Sequence, residues 1–559
     1  MGVESTALGG TAHAGDGGPD APSRKRWLAD HLALVGFAAA EAIALPLMLV
    51  WGRHGWFTQD DWDFLSARTI GSLHDLFRPH FQHWTTLPIV PYRLLWSIVG
   101  IRSYTPYQAL IVVTHLIAAA LVLAVMRRAG VRPWLATIVA VLFVYFGAGA
   151  ENILVAFQIT FVGAFAFGLT QLLLADHDGA LDRRDWLGLL AGLAGLMCSG
   201  VSLTMIVVVG AAILLRRGAR GWRIALFHTV PPGAAYLLWL ALAPKGQSAG
   251  NYRSHSLPQI LHFVGIGIEA AFARLGEIPG VGIALALILV AGLVVVFRAR
   301  GRTSRFGVLA VPIALLLGGL VFLFATGIVR AGQGGLTAFA ARTGPERARE
   351  SRYVYLVTAM VLPALAIAAD ALIRRWRAST IPVMVVLVLG LPGNIHRLAT
   401  PARYFANAAA THQQILALPR LPLADQLRDS RVPVTLQYPR FAFEGLTYGW
   451  LVKGVESGRI PAPGPRGPFQ DPTDVLTNFL VPAQVPGPVT CVPAPAVSFR
   501  VLEKGRTLTI ERGPVFIRYA PQGGAPSLKK RFAPSTLAAL VGPLRLRIAP
   551  IGKGTEICQ

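Results

Sequence analysis

Long apolar segments recur through the first 393 residues, and they constrain the fold more than any other feature of the sequence. A helix needs about 20 predominantly apolar residues to cross a bilayer. Runs of that kind lie at 32–51, 106–126, 134–150, 157–175, 224–243, 280–297, 306–329, 353–373 and 378–392. The chain is 53% hydrophobic and only 14% charged, and a soluble domain could not bury so much apolar surface. The sequence therefore predicts an all-α polytopic membrane protein.

Basic clusters between the apolar runs predict the direction of each crossing. They lie at 24–26, 127–132, 183–184, 216–223, 298–305 and 374–377. The positive-inside rule places such clusters in the cytoplasm, so an even number of crossings must join each neighbouring pair. The stretch 187–215, interrupted by "CSGVS", is then a hairpin of two helices. About eleven spans follow, with the N-terminus in the cytoplasm and the C-terminus outside.

This pattern predicts a multi-pass protein of the plasma (inner) membrane. Loop topology accounts for the net charge of +24, so the basic composition does not indicate a nucleic-acid partner. Residues 1–26 are rich in Gly, Ala and small polar residues and predict a disordered cytoplasmic tail. The transmembrane domain is predicted over 27–393, and its long first outer loop covers 52–105, where apolar residues recur at helical spacing.

The composition changes after the last apolar run. Residues 394–559 are rich in Pro and contain short alternating runs such as "VPVTLQYP" and "AVSFRVLEKGRTLTIERGPVFIRYA". Such runs predict a β-rich domain outside the cytoplasm. Cys491 and Cys558 both fall in it, in a compartment that permits disulfides, and they are candidates for a pair.

The first outer loop opens with "WFTQDDWDFL", residues 56–65. Aromatic neighbours would hold Asp60 and Asp61 in the membrane interface, where a carboxylate is partly desolvated and useful as a base. Alternatively, these acids are solvated loop residues or cap a helix that starts at Trp62. Asp63 is expected to be helical already and to have a structural role.

Further along the loop, "RPHFQHWTTLP" contains two imidazoles, an amide and an indole that could face one cleft. We expect these side chains to contact a sugar, because indole faces pack on C–H patches and amides bond hydroxyls. The residues are His80, Gln82, His83 and Trp84. The two imidazoles and the acid pair could instead bind a divalent metal, although the spacing is no recognised ligand set. No other cofactor is indicated.

Two later segments also place polar residues on the predicted outer side of the membrane. "GAENILVAFQITF" sets Glu151 and Gln158 at a turn between spans, seven residues apart and so on one face of a continuous helix. An acid at membrane depth is costly unless it faces a cavity, so both residues are predicted to line the cleft. A plain loop position for Glu151 is the alternative.

"TGPERARESRYVYL" places arginines on the predicted outer side, against the positive-inside trend. Guanidinium groups at that depth suit the phosphate of a membrane-embedded ligand. The predicted phosphate contacts are Arg330, Arg349, Arg352 and Tyr353. Snorkelling of the arginines towards lipid headgroups is the alternative.

Acids, arginines and a lipid-embedded cleft together predict a substrate with an apolar tail, a phosphate and a sugar. We expect a glycosyltransferase that moves the sugar from a polyprenyl-phosphate donor to a hydroxyl of a glycan, lipid or protein, with inversion and a carboxylate base. Membrane lipid is the other expected partner. The alternative is a transporter or flippase of lipid-linked saccharides, which predicts acids within the spans and internal repeats. Glu41 is such an acid, but no clear repeat is seen.

The layout resembles that of the C-type glycosyltransferase superfamily (GT-C), over roughly residues 30–400. The resemblance rests on the Asp-Asp motif in a long first outer loop, the number of spans, the "SRYVY" start of a late span and the outer C-terminal domain. Similar enzymes are protein O-mannosyltransferases, lipid A aminoarabinose transferases and mycobacterial arabinofuranosyltransferases.

This resemblance implies that the paired acids are Asp60 and Asp61, with Asp60 the first choice as base, and that Arg352 contacts the lipid phosphate. The C-terminal domain would correspond to the carbohydrate-binding module of some relatives. The chain lacks the Trp-Trp-Asp motif of oligosaccharyltransferases, which argues against transfer of a whole glycan to asparagine.

Overall fold

The computed structural model describes residues 24–57, 60–243, 253–299, 305–332 and 344–400, followed by shorter segments within 412–558. The described chain is mostly helical up to Ala399 and mostly β-strand from Leu480 onwards. Residues 1–23 of the predicted tail lie outside the described residues, and the remaining three, Arg24 to Arg26, begin the first helix. The last helix before the C-terminal region continues to Ala399, beyond the predicted boundary at residue 393.

The helices before residue 400 follow the apolar pattern of the sequence. They are α1 Arg24–Trp51, α2 Asp61–Ser66, α3 Leu73–Phe77, α4 Thr86–Ile98, α5 Thr105–Arg128, α6 Pro133–Val144, α7 Ala150–Leu154, α8 Ile159–Ala175, α9 Arg183–Leu196, α10 Val201–Arg217, α11 Trp222–Leu242, α12 Leu257–Gly276, α13 Val281–Ala299, α14 Arg305–Arg330, α15 Ser351–Arg375, α16 Thr380–Leu389 and α17 Leu391–Ala399.

Nine stretches of the described chain are long and apolar enough to cross a membrane, as a multi-pass membrane protein requires. One of them, Val201–Leu242, contains both α10 and α11, and α9 with 14 residues is short for a full span. The count of eleven spans and the orientation of the termini therefore stay predictions. The predicted break in 187–215 is present, since α9 ends at Leu196 and α10 begins at Val201.

Helix α15 occupies the centre of the bundle. Of its most apolar window, 94% is buried, against 22% for α1 at the periphery. It packs against α13 and α14 and also contacts α5 and α6. A helix that is apolar on all sides is expected to be enclosed by others. The first turn of α15, which carries "SRYVY", is thereby fixed against several helices at once.

The end of the first loop contacts a C-terminal helix, α18 (Tyr448–Glu456), and the residues after it. The Trp96 ring of α4 stacks on Trp450 of α18, with centroids 4.5 Å apart. Gly100 has φ +60°, and a Cβ there would lie 2.1 Å from the carbonyl oxygen of Arg459, so only glycine fits this contact. The end of the loop is thus fixed against the C-terminal region.

The C-terminal region contains two antiparallel sheets, as the alternating runs predict. Their described strands are β1 Leu480–Pro482, β2 Cys491–Pro493, β3 Ser498–Leu502, β4 Thr507–Arg512, β5 Val515–Pro521, β6 Leu528–Phe532, β7 Ser535–Ala539, β8 Leu544–Pro550 and β9 Glu556–Cys558. The strand orders are β1-β7-β4-β9-β2 and β3-β8-β5-β6. In β8 buried and exposed residues alternate with the period of two expected of a half-buried strand.

The three cysteines lie in two different parts of the fold. Cys558 is disulfide-bonded, and Cys198 is a buried free thiol at the turn between α9 and α10. The antiparallel register of β2 and β9 places Cys491 directly opposite Cys558. The segment "VPVTLQYP", predicted to be a strand, lies outside the described residues except for Val432.

Candidate active site

Asp60 is the exposed member of the acid pair at the start of α2. It occupies the N-cap position, but its side chain makes no capping hydrogen bond. Its Oδ1 instead lies 3.2 Å from Nε2 of His80, and 26% of the side chain is exposed. The capping alternative for Asp60 is therefore wrong. Its carboxylate is held by an imidazole and is accessible to a ligand.

His80 bridges two carboxylates. Its Nε2 faces Asp60, and its Nδ1 lies 2.8 Å from Oδ2 of Asp63. Burial alone would lower the pKa of His80, but hydrogen bonds and charge from both acids outweigh it and raise the pKa to about 9. The ring is therefore protonated at neutral pH: its Nδ1 donates to Asp63, and its Nε2 forms an ion pair with Asp60.

A tight turn brings His80 close to His83. The two residues exchange backbone hydrogen bonds of 3.0 and 2.9 Å, and Phe81 between them adopts φ +53°. A non-glycine residue with positive φ is uncommon and strained, and such strain persists only where the surroundings impose it. The turn aims two imidazoles, three residues apart, into one region.

Asp63 stabilises the site through ion pairs with two arginines. Its carboxylate accepts a hydrogen bond of 2.7 Å from Arg68, whose side chain is only 1% exposed, and lies 3.4 Å from Nη2 of Arg78. Burial alone would raise the pKa of Asp63, but His80 and Arg68 bring it well below the ordinary value. Asp63 is helical, as predicted, and it is an ion-paired structural group.

Asp61 differs from Asp60 although the two are adjacent. It is fully buried, and the hydroxyl of Tyr92 donates to its Oδ1 at 2.6 Å. Burial, and then the charge of Asp61, raise the pKa of Tyr92 well above its usual value, so Tyr92 stays a donor. Asp61 thus ties α2 to α4, and Asp60 is the better placed of the pair to meet a substrate.

His83 connects the loop to the helices behind it. Its Nδ1 accepts a hydrogen bond of 3.3 Å from the N–H of Gly200, at the turn between α9 and α10. Burial and the positive charges of His80, Arg330 and Arg352 lower the pKa of His83 to about 4, against the charge of Asp60. His83 is therefore neutral, and the two arginines predicted from later segments lie within electrostatic range of it.

Glu151 and Gln158 meet by a different route from the predicted one. Val155, in extended conformation, separates α7 from the following 3₁₀ turn, so no continuous helix joins them. Their side chains still pair, since Gln158 Nε2 donates to Glu151 Oε1 at 3.0 Å. Glu151 also lies within electrostatic range of Asp60 and Arg352.

Asn152, next to Glu151, is fully buried, and neither atom of its amide group has a partner among the described residues. The Oε1 atom of Gln158 is in the same situation. A buried polar atom without a partner costs about 1–3 kcal/mol, so such atoms are candidates for bonding a ligand or water.

The arginines around the start of α15 are paired with acids. Glu350 accepts hydrogen bonds from Arg347 at 2.9 Å and from Arg352 at 3.0 Å. Burial alone would raise the pKa of Glu350, but these two arginines lower it below its usual value. Arg349 instead pairs with Glu346 and Glu269. Arg352 also lies over the ring of the buried Tyr353, 5.2 Å from its centroid.

The other predicted sugar contacts lie differently. Gln82 is exposed. Trp84 is buried, stacks on Trp239 with the ring planes 3° apart, and donates from Nε1 to Thr86 at 2.7 Å. An indole that binds a sugar needs at least one ring face open to the ligand. Trp84 is packed inside the protein and is therefore a core residue.

The structure thus brings together Asp60, His80, His83, Glu151, Gln158, Arg330 and Arg352. Sequence reasoning missed the supporting residues Arg68, Tyr92 and Glu350. Glu350 stands beside the arginines in the sequence and could have been inferred as their counter-charge. Arg68 and Tyr92 reach their partners through the tertiary fold and carry no comparable signal.

The arrangement can accept a proton at Asp60 and stabilise negative charge near Arg352. A metal in this region is less favoured by the donor set, because both ring nitrogens of His80 face carboxylates and Nδ1 of His83 faces the N–H of Gly200.

A comparison with models of known protein families finds no match, and a search of curated proteins finds no similar sequence.

Proposed function

We propose that the protein is a membrane glycosyltransferase of the GT-C type, which transfers a sugar from a polyprenyl-phosphate donor to an acceptor hydroxyl outside the cytoplasm. One observation carries this proposal. A partly exposed carboxylate, Asp60, lies in one charged cluster with Glu151 and Arg352, which come from segments far apart in the sequence. A base and a phosphate-binding group are the two parts that the reaction needs.

In the proposed reaction the acceptor oxygen attacks the anomeric carbon from the side opposite the phosphate. Asp60 takes the proton of the acceptor hydroxyl, and the bond from the anomeric carbon to the phosphate oxygen breaks with its electron pair on the phosphate. The configuration inverts because there is one displacement. His80 keeps the Asp60 carboxylate in place through an ion pair, with Nε2 of the charged ring 3.2 Å from Oδ1.

The leaving phosphate would be stabilised by Arg352, with Arg330 nearby. Arg352 shares Glu350 with Arg347, which fixes the guanidinium group before a ligand arrives. A guanidinium held in position loses less freedom on binding and donates two parallel bonds to a phosphate. Asn152 and Gln158 offer amide groups to sugar hydroxyls, and their unpartnered buried atoms support that role.

The test is transfer from radiolabelled polyprenyl-phosphate sugars in membranes that contain the protein. We expect Asp60→Asn to reduce transfer by about 10²- to 10⁴-fold, the usual contribution of a general base. Asp75→Asn is the matched control, because Asp75 lies in the same loop and its carboxylate accepts hydrogen bonds from Thr69. Full transfer by Asp60→Asn, at equal expression, would refute the assignment of the base.

A transporter is the second candidate, and one observation favours it. Glu41 lies inside α1, and its Oε1 is buried without a partner among the described residues. Acids at membrane depth often mark a transport path. Movement of the lipid-linked sugar across proteoliposomes, without transfer and with dependence on Glu41, would replace the transferase proposal.

A further inference from the structure

A second cluster of imidazole and carboxylate groups lies far from the candidate active site, at the end of the bundle where α5, α10 and α15 end in arginines. We call this end the basic end. The cluster contains His177, just after α8, Asp185 in the first turn of α9, and His228 in α11. These residues come from three elements and form no short sequence motif.

The three side chains converge on one oxygen atom. Nε2 of His228 lies 3.0 Å from Oδ1 of Asp185, and Nε2 of His177 lies 3.1 Å from the same atom. The other carboxylate oxygen, Oδ2, accepts the backbone N–H of Asp182 at 2.8 Å. Oδ1 of Asp185 is therefore shared by two imidazoles, and Oδ2, held by the backbone, also lies 3.1 Å from Nε2 of His177.

The three side chains are buried, and their surroundings fix the position of His228. All three side chains are at least nine-tenths buried. Gly188, one turn after Asp185, lets the imidazole approach, because a Cβ there would lie 3.0 Å from Cε1 of His228. Gln171 donates to the carbonyl oxygen of His228 at 3.0 Å and fixes its backbone.

We propose that His177, Asp185 and His228 bind one divalent transition-metal ion, for which Zn²⁺ is the best-fitting probe. Two imidazole nitrogens and one carboxylate oxygen are a ligand set that zinc accepts. Neighbouring ligands of a tetrahedral zinc with bonds of about 2.0–2.1 Å are about 3.3 Å apart. The Asp185 oxygen lies 3.0 Å and 3.1 Å from the two imidazole nitrogens, close to that value. The carboxylate of Asp182, within 4.8 Å of the donor atoms of His177 and Asp185, or a water molecule completes the shell.

Arg217 is expected to affect the affinity of this site for the metal. It donates to the carbonyl oxygens of His177 and Gly179 and so fixes the loop that carries His177. Its Nη2 also lies 3.4 Å from Nδ1 of His177. When the metal takes Nε2, the ring proton moves to Nδ1, and this contact must lengthen. We therefore expect moderate affinity for the metal and a site that exchanges it.

The experiment uses the full-length protein in detergent, stripped with a chelator and then titrated with Zn²⁺. Wild type should bind one equivalent and melt at a higher temperature with zinc. His177→Asn and His228→Asn should each bind zinc at least tenfold more weakly. His74→Asn is the matched control, because His74 is 64% exposed on α3 and should leave the binding unchanged.

Co²⁺ supplies a readout that does not depend on the variants. It should give the visible absorption bands of a tetrahedral site in wild type, and Zn²⁺ should remove them. If wild type binds no zinc, or if the histidine variants bind it as tightly as wild type, the cluster is a hydrogen-bonded clasp between α9 and α11 and the proposal is overturned. Should the variants fail to fold, the stoichiometry and cobalt spectrum of wild type decide.

Discussion

Two histidine and aspartate clusters stand at opposite ends of one helix, and they have inverse composition. Near the start of α8, His80 lies between two carboxylates, Asp60 and Asp63. Beyond its end, Asp185 lies between two imidazoles, His177 and His228. The 17 residues of α8 separate the clusters by about 25 Å.

The ratio of acid to imidazole determines what each cluster can do. At the loop end, two carboxylates keep His80 charged, and two arginines balance Asp63, so only Asp60 is left partly exposed for chemistry. At the basic end, two imidazoles share one carboxylate oxygen in a buried site, where a metal ion can take the place of the protons on Nε2. Excess acid therefore suits proton transfer, and excess imidazole suits metal binding.

The largest effect on stability is expected from Asp63→Ala. This change leaves the buried guanidinium of Arg68 without its carboxylate, and breaking one partner of a buried ion pair typically costs about 3–5 kcal/mol. Hydrogen exchange should show faster opening of the loop over 60–98. Asp60→Asn removes a more exposed carboxylate and should leave exchange nearly unchanged, and equal protection in both variants would contradict the distinction between anchor and base.

His80→Gln is expected to reduce transfer by about tenfold to a hundredfold, the range for loss of a charged hydrogen bond worth about 1.5–3 kcal/mol. Because the pKa of His80 is raised, its stabilisation is complete below the ordinary pKa of 6.5 and is lost as pH rises through about 9. The rate of wild type should therefore fall near pH 9. A fall of the same shape in His80→Gln would show that another group causes it.

The arginines around the start of α15 allow a finer test of the candidate active site. Arg352→Lys should raise the KM for the lipid-linked donor by about tenfold, because lysine cannot donate two parallel bonds. Arg349→Lys should change it little, since Arg349 pairs with Glu269 and Glu346 and was grouped with Arg352 on sequence position alone. Equal effects of the two substitutions would mean that both guanidinium groups meet the phosphate.

The smallest effect belongs to the basic end. Gly188→Ala places a methyl group about 3 Å from the His228 ring, which must move by a few tenths of an ångström. Zinc affinity should fall by a few-fold, measured by calorimetric titration, and transfer should not change. Gly233→Ala on α11 is the control, because a Cβ there meets nothing within 4 Å.

Much of the architecture was accessible from the sequence because its causes are local. Apolar runs predicted the helices, the glycine and serine of "CSGVS" predicted the break between α9 and α10, and alternation predicted the strands. The number of crossings was less accessible. Helix α9 is short, α10 and α11 are joined by a single turn, and length and composition alone do not decide such cases.

The candidate site was predicted in outline and decided in detail by packing. Asp60 is the N-cap of α2 and Asp61 its first residue, so the two side chains point in different directions, but their identical chemistry hides which one faces inwards. Tyr92, 31 residues later, settles it by bonding Asp61. Trp84 was expected at a sugar because indoles often bind sugars, and its stacking on Trp239 depends on a helix 155 residues away.

The sequence by itself determined that this chain is a multi-pass membrane protein with a β-rich C-terminal region, because lipid requires long apolar helices whatever their neighbours are. Only the tertiary structure decided which acid of "WFTQDDWDFL" is exposed, which arginines approach His83, and that two histidines share the oxygen of Asp185. Those facts depend on the approach of residues that are remote in the chain, and no local pattern encodes them.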